Sequence, residues 1–339
     1  MQSIYQYTLN DLIESFQSIG LKKFRADQVY QWIYKKDIID FDSMTNLSLD
    51  LRNQLKEYYD TSLLDIEDLQ ISSDGTRKYL LKLEDGYIET VLMIHPYGKS
   101  LCVTSQLGCN MGCSFCASGL LKKQRDLTVD EMVRQVLTVN HDIHEHVSHV
   151  VVMGTGEPFD NYNVLTKFLN VINDPKGLEI GARHITVSTC GLVDKIREYA
   201  HFPLQTNLAI SLHASNDDIR NQLMPINKKY NLDALRDAIK YYIDVTNRRV
   251  TLEYILLDGI NDDLKYARQL AHYLKGLNVY VNLIPYNSVD ENGYKQSKNI
   301  QSFKDELLKL HINTTLRKEH GTDIDGACGQ LRAKKEGVI

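Results

Sequence analysis

The stretch CVTSQLGCNMGCSFC, residues 102–116, decides how this chain of 339 residues is interpreted. It begins in a short apolar strand and continues into a loop in which Cys109, Cys113 and Cys116 follow a C-x3-C-x2-C spacing. Four of the six cysteines of the chain lie in this stretch. The N-terminus lacks the basic flank and apolar run of a secretory signal, and cytosolic thiols stay reduced. The cysteine cluster therefore favours metal or redox chemistry over a disulfide framework.

Short apolar strands alternate with amphipathic helices from about residue 100 onward. We predict strands at LCVTSQ, HVVVMG, HITVST, TNLAISLH, RVTLEYILL and VYVNLI. Such near-continuous apolar runs are typical of parallel strands that are buried on both faces. Between the first two strands, Thr128 and Glu131 have the spacing of a capping box that begins a helix. Six βα units predict an α/β fold, a full or partial (β/α)6 barrel, whose active site lies at the carboxyl ends of the strands.

The first hundred residues have a different pattern. Helices are predicted after Thr8, around Val29 and Ile33, and after Ser48. The apolar segments YLLKL and YIETVLMI then flank Glu84-Asp85-Gly86, which indicates a hairpin. We therefore expect a small helical domain with the start of a β-ribbon at residues 1–85 and the barrel core at residues 86–339.

The composition excludes several classes of protein. Hydrophobic residues make up 43% of the chain and charged residues 24%, so a disordered or fibrous chain is excluded. No apolar run approaches the roughly 18 residues that a membrane helix needs. The formal net charge of −5 argues against a protein that coats nucleic acid by bulk charge. We expect a soluble, cytoplasmic protein.

The three clustered cysteines favour one kind of metal group. A [4Fe–4S] cluster that is held by three thiolates leaves one iron open for another ligand. Tetrahedral zinc would need a fourth protein ligand. A zinc site completed by Cys102 or by a distant histidine remains the alternative at this point.

Other chemistry-bearing residues follow the remaining strands. The segment GTGEP, residues 154–158, comes after the second strand and combines two glycines, which let backbone approach a ligand, with the carboxylate of Glu157. Ser211 and His213 end the fourth strand, and Asn287 follows the sixth. Because the carboxyl ends of parallel strands share one edge, these side chains are expected to converge.

The cysteine spacing after the first strand of a βα barrel resembles the radical S-adenosylmethionine (SAM) superfamily, and GTGEP is similar to its "GGE" element. Further segments resemble, in family order, the RlmN/Cfr family of RNA adenine methyltransferases over essentially the whole chain. These segments are KKFRADQVYQWIYKK, DSMTNLS, GARHITVST, LAISLHA, LMPINKKY, VNLIPYN and GTDIDGACGQL. Pro158, Glu253 and Pro285 are similar to the RlmN branch, which methylates carbon 2 of adenine, rather than to the Cfr branch, which methylates carbon 8.

The resemblance implies a set of site residues. Cys109, Cys113 and Cys116 would bind one [4Fe–4S] cluster, and its open iron would bind SAM. Two SAM molecules would be used per turnover, and Cys328 would carry the methyl group as S-methylcysteine. Glu89 would be the proton acceptor, and Cys102 would form a disulfide with Cys328 to release the product. The implied SAM contacts are Gly156, Glu157, Ser188, Ser211, Leu212, His213 and Asn287.

The family also implies substrates and partners. We expect methylation of an adenosine in 23S rRNA, at the peptidyl transferase centre, and of an adenosine in a tRNA anticodon loop. A flavodoxin or ferredoxin-type reductant, a monomeric state and RNA binding by the N-terminal helical domain are further expectations. Basic residues in segments 22–25, 35–36 and 122–125 are the candidate RNA contacts. The alternatives are a Cfr-like carbon-8 methyltransferase and a non-catalytic RNA-binding protein that senses redox state through a cluster or zinc.

Overall fold

A computed structural model of the chain describes residues 1–120, 122–287, 293–325, 330–335 and 337. Its α-helices are α1 (Leu9–Ser18), α2 (Lys23–Lys36), α3 (Leu49–Tyr58), α4 (Val129–Ile143), α5 (Tyr162–Asn173), α6 (Val193–Tyr199), α7 (Asp217–Leu223), α8 (Leu232–Thr246), α9 (Leu264–Leu274), α10 (Ile300–Lys309) and α11 (Gln330–Lys335). Its strands are β1 (Gln2–Ser3), β2 (Tyr59–Asp60), β3 (Asp65–Ile71), β4 (Arg77–Lys82), β5 (Tyr87–His95), β6 (Gly98–Cys102), β7 (Gln106–Leu107), β8 (Arg125–Asp126), β9 (His149–Val152), β10 (Ile185–Thr189), β11 (Asn207–Ser211), β12 (Val250–Leu256), β13 (Val279–Pro285) and β14 (Thr314–Leu316).

Ten of the described strands form one sheet in the order β14-β13-β12-β11-β10-β9-β6-β5-β4-β3. Within this sheet, β6 and β9 to β14 pair in parallel, and β3, β4, β5 and β6 pair antiparallel. All six predicted barrel strands are present, which confirms the α/β fold class. The structure adds β14, and it shows no pairing of β14 with β6 among the described residues. The barrel is therefore partial, with an open side.

The structure contains the helix caps and the buried strand that the sequence predicts. Thr8 and Asp11 cap α1 reciprocally, and Thr128 and Glu131 do the same for α4, so that backbone donors at both helix starts are satisfied. Every residue of β12 is buried, as expected for a strand covered on both faces. No helix among the described residues is both long and apolar enough to cross a membrane.

The N-terminal helices and the β-ribbon adjoin the barrel without a gap in the core. The buried side chains of α1, α2 and α3 belong to the same apolar cluster as those of the barrel strands. Arg134 of α4 also pairs with Asp60 of β2 at 3.0 Å. The expected boundary at residue 85 lies in the turn between β4 and β5, which are hydrogen-bonded partners. The division at residue 85 stays a prediction.

Residues 317–325 cross the open side of the barrel from β14 to the β3–β4 turn. The backbone N–H of Arg317 donates to the Leu283 carbonyl at 2.8 Å. At the other side, the carboxylate of Asp323 accepts from the backbone N–H of Ser73 at 3.0 Å. The amide of Gln70 donates to Asp325 at 3.0 Å. The C-terminal segment is thereby fixed to the ribbon, and α11 contacts β5.

Candidate active site at the carboxyl ends of the strands

A cavity of about 350 Å³ lies at the carboxyl ends of the barrel strands. The sequence-predicted residues that line it are Cys102, Cys109, Cys113, Cys116, Gly156, Glu157, Ser188, Ser211, His213 and Asn287. Pro158, Glu253 and Pro285 line it as well. Leu212 does not line the cavity, because its side chain points into the apolar core. The cysteine loop, GTGEP, Ser211, His213 and Asn287 therefore converge as expected, whereas the roles that the resemblance implies for these residues and for Leu212 stay predictions.

Three cysteines of the loop after β7 share one wall of this cavity. The loop closes on itself, since the Cys116 N–H donates to the Cys113 carbonyl at 3.1 Å. Burial, opposed by a hydrogen bond from the Met111 backbone and reinforced by the neighbouring Cys116 and Glu157, raises the pKa of the Cys109 thiol to about 11. Burial and the same neighbours also raise the pKa of Cys113. Three thiolates at this wall would therefore need a cationic group to stabilise them.

The donor set fits an iron–sulfur cluster. It consists of soft sulfur ligands on one short loop, and in a cluster each thiolate binds a different iron. Within the part of the chain that the structure describes, no three cysteine, histidine or acidic side chains converge on the position of a single metal ion. Cys102 lies on β6, in the same cavity but outside this loop.

Glu157 is the carboxylate of the GTGEP segment, and it is almost fully buried. Its side chain accepts hydrogen bonds from the backbone N–H groups of Cys190, at 2.7 Å, and Phe159, at 3.0 Å. Burial raises the pKa of Glu157, and these donors oppose that shift. Gly156 has φ +108°, and a Cβ there would lie 2.6 Å from the Gln106 side chain. The glycine therefore permits the close packing that holds this carboxylate at the cavity.

His213 lies two residues after the end of β11 and has a left-handed backbone, at φ +55°. The backbone N–H of Ile255 donates to its Nδ1 at 3.1 Å, so the neutral ring carries its proton on Nε2. Burial, with a smaller contribution from Arg220, lowers the pKa of His213 to about 3. The ring meets Phe115 edge-on at 4.9 Å. His213 is thus a neutral donor packed against the cysteine loop.

Arg220 on α7 is a site residue that the sequence motifs do not indicate. Its guanidinium is fully buried and donates to the carbonyls of Cys190 (2.7 Å), Ser211 (3.2 Å) and Leu212 (3.2 Å). It also donates to Asn227 at 2.9 Å. One side chain therefore fixes the ends of β10 and β11 relative to each other. Leu212 belongs to this framework through its carbonyl, even though its side chain is in the core.

Glu89 lies on β5, behind the cavity wall rather than in it. Its carboxylate forms an ion pair with the buried Lys78 at 3.1 Å and accepts a hydrogen bond from the backbone N–H of Arg332 at 2.6 Å. Lys78 also donates to the Asp325 carbonyl. In the sequence, Asp325 precedes residues 326–329 and Arg332 follows them. Cys328 itself lies outside the described residues.

The family comparisons agree with this geometry. A model of the "Radical SAM superfamily" matches residues 103–271, and one of the "Ribosomal RNA large subunit methyltransferase N-terminal domain" matches residues 3–60. A crystal structure of a radical SAM methyltransferase from Sphaerobacter thermophilus superimposes with a TM-score of 0.93 at 39% identity. The match covers 97% of this chain and 99% of that one. The fold and the site define a radical SAM methyltransferase.

Two curated relatives narrow the class. A probable dual-specificity RNA methyltransferase RlmN from Spiroplasma citri is 57% identical, with 100% of this chain and 99% of the relative covered. One from Acholeplasma laidlawii is 52% identical, with 98% and 99% covered. The chain belongs to the RlmN family of radical SAM RNA methyltransferases, which confirms the resemblance seen in the sequence. A [4Fe–4S] cluster and SAM are the cofactors that this superfamily implies.

Proposed function

We propose that this enzyme methylates carbon 2 of an adenosine in 23S rRNA and of an adenosine in a tRNA anticodon loop, through a methylated Cys328. The observation that carries the proposal is a juxtaposition. The three loop cysteines, Glu157 and Cys102 share one cavity, and Lys78 links Glu89 to Asp325, which precedes Cys328 by three residues in the sequence. The relatives are named dual-specificity RNA methyltransferases, which supports the proposal of two substrates.

The cavity wall provides the groups that would hold the cofactors. Cys109, Cys113 and Cys116 would ligate the [4Fe–4S] cluster. Glu157 would accept the ammonium group of SAM, and the neutral His213 would donate from Nε2. The other proposed SAM contacts are Gly156, Ser188, Ser211, the Leu212 backbone and Asn287. When bound, the cluster and SAM supply the one-electron chemistry that activates a carbon–hydrogen bond.

Three side chains would move protons or form bonds with sulfur. The Glu89 carboxylate would accept the proton from carbon 2 of the ring, and the Lys78 ammonium lies beside it at 3.1 Å. Once the enzyme–RNA adduct had lost this proton and one electron, which the iron–sulfur centre would accept, the Cys102 thiolate would bond to the Cys328 sulfur. The bond between that sulfur and the transferred carbon would break, and the carbon would keep the electron pair and take up a proton to become the methyl group. A thiol reductant, or the same flavodoxin or ferredoxin-type donor, would restore the two thiols.

The N-terminal helices would help to engage RNA, in the cytoplasm and as a monomer. Lys22 and Lys23 are exposed, as that role requires. The cations of segment 122–125 are less suited to it. Arg125 pairs with both Asp85, at 2.6 Å, and Glu131, at 2.7 Å, so its charge is already compensated. We therefore assign the RNA contact of this domain to residues 22–25 rather than to Arg125.

The test is direct product analysis. Reconstituted enzyme is incubated anaerobically with SAM, a reductant and a protein-free 23S rRNA fragment, and the digested RNA is examined by mass spectrometry. We expect 2-methyladenosine from the unaltered enzyme and none from Cys328→Ala. A tRNA substrate is assayed in parallel. Formation of 8-methyladenosine would overturn the carbon-2 assignment, and an intact cluster without any methylated adenosine would overturn the enzymatic proposal in favour of a sensor.

A further inference from the structure

A second cavity, of about 870 Å³, lies at the opposite, amino-terminal ends of the strands. Thr186, Asn207, Thr251 and Tyr280, near the starts of β10 to β13, line it. It shares a wall with the reaction cavity that includes Met153, Glu253, Arg317 and His320. A ligand at this face would therefore lie next to the site of chemistry.

Five cations surround the second cavity: Arg183, Arg248, Arg249, Arg317 and Lys318. Among the described residues, none of the five has a carboxylate within ion-pair distance. Glu253 is the acidic residue among the residues that line this cavity; it is buried, it accepts a hydrogen bond from Asn282 at 2.9 Å, and its charge interacts with that of Arg317. The other four cations have no such acidic neighbour in the lining, and this concentration of positive charge, in a chain whose net charge is −5, attracts a polyanion.

Neutral neighbours hold two of these arginines in place without cancelling their charge. The guanidinium of Arg249 stacks over the Tyr280 ring at 4.4 Å. Arg248 donates to the Tyr242 hydroxyl at 3.2 Å. Their positions are thus fixed in advance of ligand binding, which lowers the entropy lost when they bind a phosphate.

A row of aromatic rings runs beside the cations. His184 stacks on His149 with 4.2 Å between ring centroids, and Tyr97 meets His149 at 5.1 Å. Tyr97 then stacks on His95 at 4.6 Å, and His95 meets His320 at 4.7 Å. Tyr97 is 66% exposed, so its ring is open to another ring. Burial lowers the pKa of His95 and of His149, which favours neutral rings suited to stacking.

We propose that this amino-terminal face binds a single-stranded stretch of RNA, with phosphates on the arginines and unpaired bases on the ring row. The inference rests on the proposed function and adds where the strand enters. Cations beside exposed rings are the combination that single strands require, because a duplex keeps its base faces stacked inside the helix. The target adenosine would pass from this face into the reaction cavity between the residues that line both cavities.

The first experiment neutralises the arginines. Arg183→Gln/Arg249→Gln is compared with the matched control Arg197→Gln/Arg268→Gln, in which Arg197 stacks on Tyr241 at 5.0 Å much as Arg249 stacks on Tyr280. Binding of the 23S rRNA fragment to the cluster-loaded enzyme is measured anaerobically across a range of salt. We expect Kd to rise at least about tenfold. The slope of log Kd against log salt should fall by about 0.7 for each phosphate that the variant no longer neutralises.

The second experiment removes a ring. Tyr97→Ala should raise Kd by about five- to a hundredfold, whereas Tyr97→Phe, which keeps the stacking surface, should bind like the unaltered enzyme. A duplex of the same sequence should compete poorly. An unchanged Kd and salt slope in the arginine variant, equal weakening in the control, or equal competition by the duplex would each overturn the proposal.

A third readout separates this inference from the proposed function. Methylation of Cys328 in the absence of RNA should be the same in the arginine variant and in the unaltered enzyme. At saturating RNA the variant should also retain its turnover rate. If the unaltered enzyme binds RNA at this face but forms no methylated adenosine, the proposed function fails and the assignment of the face stands.

Discussion

The charged side chains at the two ends of the barrel strands differ in their burial and in their partners. At the carboxyl ends, the charged groups Glu157 and Arg220 are buried and bonded to the chain itself, mainly to its backbone. At the amino-terminal ends, Arg183, Arg249 and Lys318 face a wide cavity with no carboxylate partner among the described residues. A small cofactor needs the first arrangement, because its position must be fixed before reaction. A long flexible polyanion tolerates the second, because phosphate contacts depend on charge more than on exact position.

Removal of one thiol of the cysteine loop should have the largest effect, and it tests whether the two ends of the strands act independently. Cys113→Ser should lose the cluster and essentially all methylated adenosine, while RNA affinity stays within about twofold, since the cations lie at the other end. The iron content, the broad visible absorbance and the RNA Kd are measured on the same preparation. Cys190→Ser, at a buried cysteine beside Glu157, is the control and should keep the cluster. Loss of RNA binding in Cys113→Ser would mean that the two ends are not independent.

Glu89 lies on β5 of the ribbon, and its substitution should affect the rate of product formation alone. Glu89→Gln keeps the shape of the side chain but removes the base, so product formation should fall by about 10²- to 10⁴-fold. A covalent enzyme–RNA adduct should accumulate, and it can be detected on a denaturing gel. Glu67→Gln changes a ribbon carboxylate that pairs with Lys335 at 2.6 Å and serves as the control. Full activity in Glu89→Gln would remove this residue from the proposed mechanism.

Arg220 tests whether the carboxyl end is held rigid by internal bonds. Arg220→Met leaves the carbonyls of Cys190 and Ser211 without this donor, and should lower the free energy of unfolding by about 3–5 kcal/mol. SAM affinity should fall as well, with RNA affinity unchanged. Arg236→Met, at a half-buried arginine that donates to the Tyr273 carbonyl at 2.8 Å, is the control and should cost about 1 kcal/mol. Urea unfolding of both variants decides this point, and equal losses would contradict it.

The smallest expected effect is on the pH dependence of stability, and it comes from the protonation of His213. The pKa of His213 is about 3 in the folded chain and about 6.5 in an unfolded one, so the unfolded state binds the extra proton as the pH falls below 6.5. The contribution of the neutral His213 to the free energy of unfolding is therefore fully present above that pH, and it is lost as the pH falls. Between pH 7.5 and pH 5.5, the stability advantage of the unaltered enzyme over His213→Gln should shrink by about 1.4 kcal/mol. A constant difference across this range would contradict the neutral, buried ring.

The sequence predicted the carboxyl end far better than the amino-terminal end. Cysteine spacing and the GTGEP segment are local motifs, and a parallel barrel brings local motifs after successive strands to one edge. Arg220 carries no such signal, because an arginine on a short helix has the pattern of a solvated residue until the fold buries it. The cations of the other face are scattered from Arg183 to Lys318, and only the packed strands bring them together.

Two smaller differences have equally physical reasons. The strand Thr314–Leu316 is three residues long and lacks an apolar run, so its sequence has no strand signal, and it exists because β13 offers a free edge. The family resemblance implies that Leu212 contacts SAM. Alternation along an extended chain instead sends its side chain to the opposite face, into the core.

The attachment of residues 317–325 to the ribbon also has a consequence for biosynthesis. The contact between Ser72 and Asp323 spans 251 positions, and that between Gln70 and Asp325 spans 255. Contacts so distant in sequence form late, because loop closure must precede them and because the ribosome makes this segment after every barrel strand. The barrel strands and the cysteine loop are therefore synthesised before Cys328. Under the proposed mechanism, the site for the cluster would form first and the thiol that carries the methyl group would arrive later, an order in time that the chain itself sets.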